Sequence, residues 1–106
     1  MPVSPTRWFA PPAELEAAVR KVEAELRPDV VRIRYSLDED WTGDPSIFFR
    51  VVLSDEAANP KRLGDVAWRV REKLDWDVNP DDFGLHAYTS FRSKSEQDES
   101  KDPDWA

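Results

Sequence analysis

The sequence predicts an α+β two-layer sandwich with element order α-β-β-α-β. Three observations carry it. Residues 30–37 and 46–53 alternate apolar and polar side chains at the period of a strand. Residues 12–26 and 60–74 repeat apolar side chains at helical spacing, each as one stripe. A third alternating run, 85–91, follows turn chemistry at Asn79, Pro80 and Gly84.

The first helix is expected over 12–26. Pro12 is tolerated in the first turn, Glu14 and Glu16 suit the positive end of the helix dipole, and Leu15, Ala18, Val19, Val22 and Leu26 line one side. Pro28 ends it, because the residue before a proline avoids the helical region. The next two segments pair as a hairpin. Val31, Ile33, Tyr35 and Leu37 answer Ile47, Phe49, Val51 and Leu53 on one face, leaving Arg32, Arg34, Phe48, Arg50 and Val52 on the other. The connection, Asp38 to Pro45, is acidic and too long for a two-residue turn. Asn59-Pro60 reads as an N-cap followed by proline at the first helical position, and Leu63, Val66, Ala67, Val70 and Leu74 form the stripe of the second helix. In the third strand Leu85, Ala87, Thr89 and Phe91 share one side, His86 and Tyr88 the other.

Two matching stripes imply that both helices cover one face of a three-stranded sheet. A crossover through the second helix makes the third strand parallel to the second; placed beside the first strand, it gives the expected order 2-1-3, with strands 2 and 3 as edges. Residues 1–11 read as an extended proline-rich arm carrying Trp8, residues 12–92 as one α+β domain, and the polar run 93–106 as an acidic disordered tail in which Trp105 breaks the pattern.

Composition narrows the function. With 22 acidic and 15 basic residues the net charge is -7, a field that repels polyanions and suits a basic protein partner. Without cysteine there is no disulfide, zinc-thiolate site or thiol nucleophile. The sequence has neither the apolar run of a signal peptide near Met1 nor a span of about 20 apolar residues, so a cytoplasmic protein with no membrane segment, of bacterial type, is expected.

The candidate binding surface is the second sheet face: Arg32, Arg34, Phe48, Arg50, Val52, His86 and Tyr88. Phe48, Val52 and Tyr88 make an apolar centre with an arginine rim, the make-up of a protein interface. The same arginines and aromatics give the alternative, a sheet on which single-stranded RNA stacks its bases. Self-association through an edge strand or this face is a further expectation. His86 has no nucleophile or orienting carboxylate beside it in sequence, so no catalytic set is assigned. Asp38, Asp40 and Asp44 resemble the start of a calcium loop, yet Phe49 stands where such a loop needs a bidentate glutamate; they are the metal candidates, and no cofactor is expected. Asp75, Asp77, Asp81 and Asp82 are explained by turn preference. Trp68 and Trp76 are expected to pack around the second helix and its end.

The run Phe48 to Asp55, followed by a helix, resembles the second strand of small nucleotidyltransferase domains, some of which act as partners of RNase-like toxins. That resemblance implies a Gly-Ser pair before this strand and an Asp-x-Asp pair on it. Here Gly43 is followed by Asp44 and the strand reads Ile47-Phe48-Phe49, so the reading is a degenerate domain without the catalytic motifs. The element order is also similar to the cytosolic domain of cation-efflux transporters and to metal-cluster assembly domains, which bring histidines and a cysteine respectively. Fold likeness alone carries no function. The expectation is a non-catalytic protein-binding or regulatory module, an accessory or antitoxin-like protein.

Overall fold

The computed structural model describes residues 12–106. The expected arm at 1–11, with Trp8, lies outside them. The elements are α1 (Ala13–Glu25), β1 (Val30–Glu39), β2 (Pro45–Leu53), α2 (Pro60–Lys73), a π-helical turn (Leu74–Val78), β3 (His86–Ser93) and α3 (Lys94–Ser100), with short 3-10 turns at Pro80–Phe83 and Pro103–Trp105. It is an α+β fold in which α1 and α2 line one sheet face, as the stripes require.

The core lies between that face and the helices. Leu15, Val19 and Val22 of α1 and Val66 and Val70 of α2 meet Ile33, Ile47, Phe49 and Val51 of the sheet. Odd-numbered hairpin residues therefore point at the helices, as alternation demands. One irregularity stands at the start of β1. The register shifts between Val30 and Arg32, so Val30 takes the core position expected of Val31. Asn59 caps α2, its side chain accepting from the Lys61 amide.

The strand order is β1-β2-β3, not 2-1-3. β1 pairs antiparallel with β2, and β3 pairs parallel with β2 in continuous register from Ser46 opposite His86 to Leu53 opposite Ser93. β2 is central, because it is the strand that is apolar on both faces: Val52 is as buried as its neighbours Val51 and Leu53. The edges are β1 and β3. The open edge of β1 is capped at Ile33, whose amide donates to Glu23 Oε2 at 2.7 Å and whose carbonyl accepts from Arg20 Nη2 at 2.7 Å. Such pairing occupies groups that would otherwise recruit another strand.

Two further expectations are corrected. Residues 93–106 are not a disordered tail. Ser93 and Glu96 close a capping box at the start of α3, and Ser95 donates from both amide and hydroxyl to Asp55 in the loop after β2. Trp68 and Trp76 do not pack: they are 67% and 79% exposed.

Candidate functional site: the outer sheet face

The face away from α1 and α2 is built from four cross-strand rows, fixed by the register. They are Arg32, Val52 and Arg92; Arg34, Arg50 and Ser90; Ser36, Phe48 and Tyr88; and Asp38, Ser46 and His86. All seven residues expected on this face lie on it. They do not form one continuous surface. The first two rows carry the arginines and are overlaid by a chain segment, with Ser90 left exposed; the last two are aromatic and acidic and lie open except at Ser46, which is fully buried.

The cover over the basic rows is the segment Asp102 to Ala106. Arg50 Nε donates to the Asp104 carbonyl at 2.7 Å, Arg32 Nε to that of Trp105 at 3.0 Å, and Arg34 Nε to that of Ala106 at 3.0 Å. Arg92 lies over the Trp105 ring, its guanidinium carbon 4.3 Å from the ring centroid. Val52 stands between Arg32 and Arg92 in the same row and is fully buried, although it is not part of the helix-side core. The chain that follows β3 therefore closes over Val52, both α3 and the turn at Pro103–Trp105 reaching β2, and the indole itself is only 8% exposed. α3 sets the segment's approach: Arg92 donates to the Gln97 side chain at 2.9 Å, and Gln97 Nε2 donates to the Asp102 carbonyl at 2.8 Å. A reading by composition singled out Trp105 without placing it, and missed Arg92. The capping-box pattern Ser93-Lys94-Ser95-Glu96 was the available signal that the chain is ordered beyond β3.

The open half is organised by the loop between β1 and β2. Asp40 Oδ1 accepts from the Thr42 hydroxyl at 2.6 Å, the Thr42 amide at 2.9 Å and the Asp44 amide at 3.0 Å, while Oδ2 accepts from the Tyr88 hydroxyl at 2.8 Å. Gly43 makes the turn at φ +86, a value that side chains resist. The Thr42 hydroxyl above all, then Tyr88 and the two amides, hold the Asp40 carboxyl well below the usual carboxylate range, against the opposing effect of desolvation. The same bond to Asp40 raises the Tyr88 phenol. On this scaffold Tyr88 stacks on Phe48 with centroids 5.3 Å apart, and Trp41 packs against Tyr88 at 5.2 Å. Trp41 is still 79% exposed.

This geometry bears on the chemistry considered for the loop. Both Asp40 oxygens are engaged, Oδ1 by the turn and Oδ2 by Tyr88, and Asp38 accepts from the Glu39 amide at 2.8 Å. Among the described residues, no three His, Asp or Glu side chains are arranged to hold a metal ion. His86 is exposed and lies 3.4 Å from Asp44 Oδ2, a contact that a solvated pair accounts for. No helix among the described residues is long and apolar enough to cross a membrane. Comparison with known proteins brings no match, whether to a family model, a curated protein or a solved structure.

Proposed function

We propose that this chain is a non-catalytic binding module for a protein partner, engaging a basic segment of that partner on the open half of the outer sheet face. One observation carries the reading: Trp41 is 79% exposed yet held in place through Tyr88, Phe48 and Asp40. A fixed, exposed tryptophan is the kind of side chain that anchors interfaces, because its large apolar area is buried on binding with little loss of rotamer freedom. Asp38, Glu39 and Asp44 stand around it in the loop and at its flanks, so a lysine or arginine finds an aromatic face and carboxylates together. A small cytoplasmic accessory or antitoxin-like protein acting on a basic partner fits that chemistry. Should the chain also self-associate through an edge, β3 is favoured, since β1 is capped at Ile33.

The alternative, single-stranded RNA on Arg32, Arg34, Arg50, Phe48 and Tyr88, has less support. Those arginines already donate to main-chain carbonyls, and the open aromatic row is rimmed by carboxylates.

A titration of the isotope-labelled chain with a lysine- and arginine-rich peptide, followed by amide and indole resonances, tests the proposal. Shifts are expected at the Trp41 indole, residues 38–44 and residues 86–88, and Trp41→Ala should weaken binding by about tenfold or more. No shift at millimolar peptide would sink the proposal. Shifts induced by a mixed RNA pool on residues 32, 34 and 50 would favour the alternative.

A further inference from the structure

The segment 102–106 is no part of the sheet, whose strands are β1, β2 and β3 alone. Side chains hold it. Arg50, Arg32 and Arg34 donate in turn to the successive carbonyls of residues 104, 105 and 106. Carbonyls are common to every peptide, so these donors set direction and register without reading a side chain. Selectivity has two other sources. The indole of Trp105 is buried beneath the Arg92 guanidinium, on the face where Val52 is also fully buried. Charge is the second: Asp102 Oδ2 lies 3.6 Å from Arg92, and Asp104 sits on a face carrying four arginines.

We infer that the basic half of the outer face is a peptide clamp for a short, tryptophan-centred acidic segment, and that residues 102–106 are its resident occupant. A partner protein carrying a segment of the same chemistry binds by displacing them. The inference is independent of the function proposed for the open half, which lies in the neighbouring rows and carries the opposite charge. Three features suit exchange. Trp105 is the single large apolar anchor of the segment. The bonds from Arg34 and Arg50 lie at the exposed surface, where water can replace them. Lys101 ends α3 in a left-handed cap at φ 53, closed by its own amide on the Gln97 carbonyl, so the helix is terminated before the segment begins. The occupant is tethered, so its effective concentration is on the order of millimolar, and a free competitor meets that level first.

The test uses the full chain carrying Trp105→Ala and a blocked peptide of sequence Lys-Asp-Pro-Asp-Trp-Ala. The clamp, once vacated, should bind the peptide at least about tenfold more tightly than the unaltered chain does. Replacing the peptide's tryptophan by alanine, or adding Arg50→Gln to the protein, should abolish the gain. A folded Trp105→Ala chain that ignores millimolar peptide, or equal binding to both chains, overturns the inference. If that variant does not fold, the unaltered chain is titrated instead. Movement of the Trp105 indole resonance toward its free position supports displacement, and an unmoved resonance overturns it. Dimers of the unaltered chain that keep Trp105 buried by exchanging segments would assign the clamp to a second copy, and would overturn the partner assigned here.

Discussion

Asp40 shows how much one carboxylate settles. It closes its own turn through Thr42 and Asp44 and reaches across the sheet to Tyr88, so the aromatic corner is fixed only while it is ionised. Its folded pKa lies below its unfolded value. The stabilisation is therefore fully present above the ordinary carboxylate pKa of about 4, and is lost as pH falls below that toward the folded value. The Thr42 amide resonance, bonded to Asp40, should hold still between pH 7 and about 4.5 and move only in stronger acid. Movement centred near pH 4 would contradict the network. On the helix side, Phe49 is buried in the core, and Phe49→Ala should cost about 3–5 kcal/mol in denaturant unfolding. That parity was legible: Ile33, Phe49 and Val51 fall inward because a strand offers alternate residues to alternate faces. The partnership of Arg32 with Trp105 was not legible, since no local pattern encodes a contact between residues so distant in sequence.

At the scale of elements, the strand order was in the sequence but easily misread. Phe48 and Val52, read on their own face alone, form an apolar centre awaiting a partner, whereas apolar residues on both faces of a strand are the mark of a central position. β1, with Arg32, Arg34, Asp38 and Glu39, is the better edge. α3 was hidden by composition. The run after Ser93 is polar enough to resemble a disordered tail, and only the capping pair Ser93 and Glu96 distinguishes it. Ser93→Ala should weaken α3 by about 1 kcal/mol, read as faster amide exchange from Gln97 to Lys101 and greater mobility of Trp105. Gly64 predicts the opposite sign. It lies within α2, outside the left-handed region, and an added Cβ would meet nothing within 4 Å. Gly64→Ala should therefore stabilise by about 0.5–1 kcal/mol. Lost stability there would mean that the exposed side of α2 is covered in solution.

At the scale of the molecule, the sheet separates two tasks. One face is closed by α1 and α2 over the apolar residues and provides the fold. The other is divided along its strands into a basic half occupied by residues 102–106 and an aromatic, acidic half left open. The net charge of -7 is therefore not spread evenly: four arginines cluster in two rows of one face, and acidic segment residues answer them. Sequence alone located this face and seven of its residues. It left out the division, because that depends on a segment whose docking is a tertiary event.

Whether the Trp105 indole lies against the Val52 side chain, as the burial of both on one face leads us to expect, tests this organisation most directly. Nuclear Overhauser measurements on the isotope-labelled chain should show cross-peaks from the indole ring protons to both Val52 methyls, with the indole N–H slow to exchange. A sharp, random-coil indole signal without those cross-peaks, beside an intact core signature for Phe49, would leave the outer face bare and contradict the arrangement described.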